Sequence, residues 1–147
     1  MKAISILENH GNVLFEQLCK KHTKVTFTLY NFPKNSTHAI HIHEYGDTSD
    51  GCKSLGTHYN PKNKNHGTIF DPERERHAGD LINNFYTDKN GKYTLSYVDE
   101  LSVKDILGRS VVVHEGQDDL GLGGNKESLI SGNAGNRIAC GIIGLKK

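Results

Sequence analysis

The sequence predicts an all-β fold, a sandwich or barrel of short antiparallel strands. Apolar and polar residues alternate in several short segments, as they do in a strand with one buried face. Turn-forming residues separate these segments, and no stretch of twelve residues has the apolar spacing of an amphipathic helix. Because 147 residues is the usual size of one domain, we expect residues 1–147 to form a single domain.

The first half of the chain contains three strand candidates. The segment "AISILE" at residues 3–8 comes first. In "KVTFTLYNF", which follows the basic segment "CKKHTK", Val25, Phe27 and Leu29 share one face and threonines occupy the other. The third candidate, "HAIHIHE", alternates in the same way.

The second half of the chain contains four more strand candidates. Two of them lie within "NFYTDKNGKYTLSYVDE", on either side of Asn90-Gly91, which supplies the positive-φ residues that tight hairpins favour. The last two are "RSVVVHE" and "NRIACGIIG".

Two long segments interrupt the strand pattern. Residues 44–80 are polar and contain an Asn-Pro and an Asp-Pro dipeptide, and residues 115–135 contain six glycines. Loops of this length are uncommon in compact domains and are often functional. Either these loops are flexible, or something other than secondary structure, such as a metal ion and a disulfide, holds them in place.

Composition excludes several classes of partner. The formal net charge of +1 gives no reason to expect nucleic acid or an anionic membrane. The longest apolar runs are too short for a transmembrane helix, and "MKAISILENHG" lacks the apolar core of a signal peptide. We therefore expect a soluble cytoplasmic protein, in which Cys19, Cys52 and Cys140 would by default be free thiols.

Histidines are concentrated in the middle of the chain. His41 and His43 occupy positions i and i+2 of a predicted strand, so their side chains project from the same face. Such a pair can bind a metal, although two solvated or hydrogen-bonded histidines would show the same pattern. We expect His10 and His22 to be surface residues and His38 to have a structural hydrogen-bonding role.

The first long loop adds further potential ligands. It carries His58, His66 and His77, and Asp80 follows His77 in "HAGD". Three imidazoles and one carboxylate make a four-coordinate set that suits structural zinc, and imidazole sites also suit copper. His114, at the end of "SVVVH", is one more candidate ligand.

Six segments together resemble the copper–zinc superoxide dismutases of the eukaryotic cytosolic type. In chain order they are "HIHEYGD", "GTHYNP", "RHAGDL", "VVVHE", "DDLGLGGN" and "GNAGNRIACGIIG". Several independent motifs at compatible spacing are far more specific than any one of them. The resemblance covers nearly the whole chain. It implies a Greek-key β-sandwich or flattened barrel, immunoglobulin-like, with about eight antiparallel strands and two long functional loops.

The resemblance implies one copper and one zinc ion per subunit. The implied copper ligands are His41, His43, His58 and His114. The implied zinc ligands are His58, His66, His77 and Asp80, so that His58 would bridge the two metals.

Four further residues match positions with known roles in the family. Asp118 resembles the carboxylate that joins a copper-ligand histidine to a zinc-ligand histidine, and Arg137 resembles the arginine at the copper channel. Cys52 and Cys140 resemble the family's intrasubunit disulfide, which would join the first long loop to the last strand.

The implied activity is the copper-dependent disproportionation of superoxide to dioxygen and hydrogen peroxide, an antioxidant reaction. Copper would carry one electron at a time, His58 would be ligand and proton donor in turn, and Arg137 would pair with the anion. The implied partners are the superoxide substrate, a second copy of the chain in a homodimer, and a copper chaperone.

The chain departs from the family pattern after "GGN". Lys126 stands at the first of two positions that are usually acidic, and Ile130 stands where a lysine is usual. We therefore hypothesise that Lys126 helps Arg137 to steer superoxide towards the metal. A solvated lysine that points away from the channel is the alternative.

Other functions are less compatible with the sequence. A catalytically inactive metal-binding or decoy homologue would be favoured by loss of a ligand or of Arg137, and neither is lost. A zinc hydrolase built on the His41–His43 pair would leave Asp118 and the other histidines unexplained. The run "GLGGNK" lacks the third glycine of a dinucleotide-binding loop, because Lys126 occupies that position.

Overall fold

The computed structural model describes residues 1–72 and 75–147. Within these residues it contains eight strands and three short helical turns, which confirms the predicted all-β class. The strands are β1 (Lys2–Leu7), β2 (Gly11–Cys19), β3 (His22–Leu29), β4 (Thr37–His43), β5 (Asn84–Tyr86), β6 (Tyr93–Asp99), β7 (Ser110–His114) and β8 (Arg137–Leu145). The helical turns are a 3-10 turn at Lys53–Leu55, α1 (Val103–Ile106) and α2 (Ser128–Ser131).

The strands form one nearly closed antiparallel barrel in the order β5-β4-β7-β8-β1-β2-β3-β6. Strands β1, β2 and β3 are consecutive neighbours, but β4 pairs with β5 and β7 on the other side of the barrel. The chain therefore crosses the barrel between β3 and β4 and crosses back between β5 and β6. These crossings give the expected Greek-key connectivity.

Strand β2 was not among the strands predicted from the sequence. Val13 and Phe15 point into the barrel and are fully buried. At its start Gly11 has φ of +97°, and a Cβ there would lie 1.9 Å from the carbonyl oxygen of Thr28. A residue with a side chain would therefore be both strained and obstructed at this turn.

Strand β4 positions the functional side chains. Ile40 and Ile42 are fully buried in the barrel core. Because side chains alternate along a strand, His41 and His43 lie on the outer face. They are nevertheless only 0% and 2% exposed, because the two long loops cover that face.

Specific bonds hold the two loops in place. The expected disulfide between Cys52 and Cys140 joins the first loop to β8, and Cys19 is a free, exposed thiol. The backbone N–H of His66 donates to the carbonyl of Leu129 at 2.9 Å, which joins the loops to each other. No helix in the described part of the chain is long and apolar enough to cross a membrane.

Candidate metal centre

The structure brings all the sequence-predicted ligands together on the outer face of β4. Strand β4 supplies two histidines, the last residue of β7 supplies a third, and the first long loop supplies the others. A bridge between the backbones of His43 and His58 fixes the start of that loop beside β4. All the ligand candidates are at most 4% exposed: His41, His43, His58, His66, His77, His114 and Asp80.

The first ligand group surrounds a point above β4. One nitrogen from each of four histidines lies within 4.8 Å of the other three: His41, His43, His58 and His114. The Nε2 atoms of His43 and His114 are 3.3 Å apart. Among the described residues, neither Nδ1 of His41 nor Nε2 of His58 has a hydrogen-bond partner, although both atoms are buried. A buried polar atom without a partner is costly, and a metal bound at this point would satisfy both nitrogens.

In three of these rings, the nitrogen that points away from the group is already hydrogen-bonded to an oxygen. Because an oxygen acceptor takes the N–H on that side, the nitrogen that faces the group carries the lone pair that a metal requires. The three hydrogen bonds are His41 Nε2 to Asp118 Oδ2 at 2.7 Å, His43 Nδ1 to the Gly56 carbonyl at 2.9 Å, and His114 Nδ1 to the Gly135 carbonyl at 3.0 Å.

The second ligand group has the dimensions of a tetrahedral zinc site. Asp80 Oδ1 lies 3.2, 2.8 and 3.2 Å from the Nδ1 atoms of His58, His66 and His77. The Nδ1 atoms of His58 and His77 are 3.2 Å apart. Zinc–nitrogen bonds of 2.0–2.1 Å in a tetrahedron place the ligand atoms about 3.3 Å apart. The donor set and its spacing therefore fit zinc.

Asp80 is held so that one carboxylate oxygen faces the histidines. Its Oδ2 accepts the backbone N–H groups of Gly67 and His77, both at 3.0 Å. Burial would raise the pKa of Asp80, but hydrogen bonds with His58, His66 and His77 outweigh burial and hold the pKa far below its usual value. The carboxylate is therefore ionised, as a metal ligand must be.

Asp118 joins the two ligand groups. Its Oδ2 accepts from His41 and its Oδ1 accepts from Nε2 of His66, both at 2.7 Å. Gly132 leaves room for this carboxylate, because a Cβ at that position would lie 2.4 Å from Oδ1 of Asp118. Asp118 therefore orients one histidine in each group and fixes which of its nitrogens faces the metal.

Two asparagines at the site were not predicted from the sequence. Asn83 donates to the Gly67 carbonyl at 2.7 Å and to Oδ2 of Asp118 at 3.2 Å. The side chain of Asn84 accepts from the backbone N–H of Asp118 at 2.8 Å and donates to its carbonyl at 3.0 Å. No motif marks them in the sequence, since their role depends on a loop about 35 residues away.

The environment lowers the pKa of all four histidines of the first ligand group, which favours their neutral form. Burial lowers the pKa of His41 to about 4, against the opposing hydrogen bond to Asp118. Burial likewise places the pKa values of His43 and His58 well below the usual value. His66 differs: burial opposes its protonation, but the hydrogen bonds to Asp118 and Asp80 prevail and raise its pKa to about 9.

An open cavity of about 380 Å³ leads from the surface to the first ligand group. His43, His58 and His114 line its inner end, and Arg137 lies beside them. The guanidinium of Arg137 donates from Nη1 to the Cys52 carbonyl at 2.8 Å and from Nη2 to the Gly56 carbonyl at 2.6 Å. These bonds hold a positive charge beside the first ligand group.

Lys126 and Glu127, two neighbouring charged residues of the second loop, differ in their relation to the cavity. Glu127 lines the cavity, together with Ile130 and Ser131. Lys126 is exposed and is not among the residues that line the cavity. Any effect of Lys126 on an entering anion would therefore act through solvent rather than by contact.

Comparisons with known proteins agree with this site. The family model for copper/zinc superoxide dismutase matches residues 9–143. The chain is 42% identical to a superoxide dismutase [Cu-Zn] of Talaromyces marneffei over 99% of this chain and 98% of that protein. It is 43% identical to the enzyme of the same name from Saccharomyces cerevisiae, over 99% and 98% of the two chains.

A solved structure is also similar. The crystal structure of the clock protein EA4 superposes with a TM-score of 0.90 at 38% identity, covering 99% of this chain and 94% of that one. With the motifs, the ligand geometry and these matches in agreement, the chain belongs to the copper/zinc superoxide dismutase family.

Proposed function

We propose that the protein is an oxidoreductase that converts superoxide to dioxygen and hydrogen peroxide, with one copper and one zinc ion per chain. The observation that carries the proposal is a pair of ligand groups that share one imidazole at the end of an open cavity. When bound, copper supplies one-electron redox chemistry, whereas zinc has none and supplies structure.

We assign the copper to the group of His41, His43, His58 and His114. The zinc belongs to the group of His58, His66, His77 and Asp80. The support is chemical: the first group offers four imidazole nitrogens beside a cavity. The second offers three imidazoles and a carboxylate, of which only the shared His58 lines the cavity.

His58 is the residue best placed to handle a proton. Its Nδ1 faces the zinc group, and its Nε2 faces the copper group without a hydrogen-bond partner among the described residues. Because His58 also lines the cavity, a proton held on Nε2 is next to the space that superoxide enters. We therefore assign to Nε2 the delivery of one of the two protons that hydrogen peroxide needs.

Arg137 binds and orients the anion. Its guanidinium is fixed by two loop carbonyls, and it presents a permanent positive charge to the cavity. The Gly56 carbonyl also accepts from Nδ1 of His43 at 2.9 Å. One carbonyl therefore positions both a copper ligand and the arginine that attracts the substrate.

Lys126 is proposed to raise the rate at which superoxide reaches the cavity. It lies next to Glu127, which lines the cavity, so its charge is close to the entrance. Charges within about 8 Å still interact at physiological ionic strength. The steering role therefore does not require contact with the substrate.

The cellular setting and assembly are proposals as well. A homodimer is supported by Ile6 and Ile142, which are 58% and 44% exposed on the neighbouring strands β1 and β8. Exposed apolar side chains of this kind favour contact with a partner. Location in the cytoplasm and loading by a copper chaperone rest on the likeness to eukaryotic cytosolic members. We also propose that residues 1–147 act as one domain.

Metal analysis combined with a superoxide-consumption assay tests the function. We expect one copper and one zinc per chain, and activity that disappears on copper removal and returns on its restoration. His43→Ala should lose copper and activity but retain most zinc, and His22→Ala, an exposed histidine outside the site, serves as the control. Full activity in a copper-free preparation would refute the proposal. Full metal loading without superoxide consumption would identify the inactive metal-binding alternative.

A further inference from the structure

A second cavity, of about 830 Å³, lies outside the metal centre. The turn between β2 and β3 forms one wall, the first long loop forms another, and the segment leading into α1 forms the third. No residue that lines it also lines the cavity above the copper ligands. We call it the lysine cavity, because four lysines line it: Lys20, Lys21, Lys62 and Lys104.

The lysine cavity has an excess of positive charge. Two carboxylates, those of Glu100 and Asp105, also line it, and Lys20, Lys21 and Lys104 alone outnumber them. Among the ion pairs between described residues, none involves Lys20, Lys21 or Lys104. The whole chain carries a net charge of only +1, so this local excess does not simply reflect a strongly basic chain. A concave surface lined by one sign of charge attracts counter-ions.

The floor of the lysine cavity is apolar. Tyr59, Ala78 and Leu101 contribute to it and are 9%, 7% and 4% exposed. Apolar walls with a few convergent charged groups are typical of small-molecule sites, and volumes of about 300–1,000 Å³ are usual for them. The cavity is therefore suited to a molecule much larger than superoxide.

We propose that the lysine cavity binds a small molecule that carries two phosphate groups. Lys20 and Lys21 come from the turn between β2 and β3, and Lys104 comes from α1, so two separate segments of the chain supply cations to the cavity. Phosphate groups supply the multiple charges and acceptor oxygens that ammonium groups bind. The proposal is independent of the dismutase reaction.

The test uses fructose 1,6-bisphosphate as the probe and the copper(I)–zinc protein, which is diamagnetic, as the target. Amide NMR spectra at low ionic strength should show saturable shifts centred on Lys21, Ser102 and Lys104. Sodium sulfate at matched ionic strength should not reproduce them. Shifts centred on Gly135 and Arg137 would mean that the probe binds in the substrate cavity, and that result, or the lack of saturation, would overturn the proposal.

Matched charge variants distinguish binding at a specific site from a general effect of the protein's net charge. The double variant Lys21→Glu/Lys104→Glu should weaken binding about tenfold or more, the effect of losing a charged hydrogen bond. The control Lys89→Glu/Lys147→Glu makes the same change in net charge at lysines outside the cavity and should bind within about twofold of the parent. Equal weakening in both variants would overturn the proposal. Lys21→Met/Lys104→Met, which removes the charges but retains apolar side chains, should weaken binding as well.

Discussion

Removal of the disulfide between Cys52 and Cys140 should cause a large loss of stability. The bond joins residues 88 positions apart. The chain-entropy relation for a loop of that length gives about 4.6 kcal/mol at 25 °C. Since small domains have unfolding free energies of roughly 5–15 kcal/mol, the variant Cys52→Ser/Cys140→Ser should lose about a third of its stability or more.

The same variant should also affect the active site. The Cys52 carbonyl and the nearby Gly56 carbonyl are the two acceptors that hold the guanidinium of Arg137, and the Gly56 carbonyl also holds His43. Once the segment is no longer fixed to β8, these carbonyls have more freedom to move. We therefore expect a lower kcat/KM and weaker copper retention in addition to the loss of stability.

Denaturant unfolding of the metal-free proteins measures the free energy of unfolding without the contribution of bound metals. Cys19→Ser is the matched control, because Cys19 is a free, exposed thiol, and it should change stability by less than about 0.5 kcal/mol. A loss below about 1 kcal/mol in the double variant would contradict the loop-entropy reasoning. An equal loss in the Cys19 control would show that serine substitution itself, not the cross-link, is responsible.

Three further predictions concern the link that Asp118 makes between the two ligand groups, the stability of the protein at alkaline pH, and the steering of superoxide by Lys126. Gly132→Ala should weaken binding of both metals in a chelator competition, because the new Cβ would displace Asp118. Gly124→Ala has a similar φ, +74° against +69°, but open space around it, so it should lose stability without losing metal affinity. Burial, together with the charge of a neighbouring aspartate, raises the pKa of Tyr97 well above its usual value. The unfolded chain therefore loses this proton first, and the free energy of unfolding should fall as the pH rises above about 10, with a smaller fall in Tyr97→Phe. Lys126→Glu should lower kcat/KM at low ionic strength, and the deficit should shrink at ~0.15 M salt; an unchanged low-salt rate would show that Lys126 does not steer.

The fold could be predicted from the sequence wherever apolar and polar residues alternate. Strand β2 was missed because two of its outward positions, Leu14 and Leu18, are apolar and interrupt the alternation. Leu14 follows Val13 directly, and Leu18 is 58% exposed although it is apolar. The strand forms because β1 and β3 pair with it on both sides, from Lys2–Glu16 to Cys19–His22. Such pairing depends on residues outside the strand itself and leaves no pattern within it.

The identities of the site residues could also be predicted, but their orientations could not. The motifs identify His43 and His114 as candidate ligands. Which nitrogen of each ring faces the metal depends on the carbonyls of Gly56 and Gly135. Any residue has a carbonyl, so a sequence cannot show which one will accept from a given imidazole.

The burial of β4 explains why this protein needs both long loops. An H-x-H pair on a strand would normally face solvent, where each imidazole nitrogen can bond to water. Here the loops cover His41 and His43, and Asp118 and the Gly56 carbonyl replace water on one side of each ring. The other side is left to the metal, and the cavity of about 380 Å³ is the open approach to it. Covering the strand therefore leaves Nδ1 of His41 buried without a hydrogen-bond partner among the described residues. A bound metal would satisfy it, so metal binding should contribute directly to the stability of the fold.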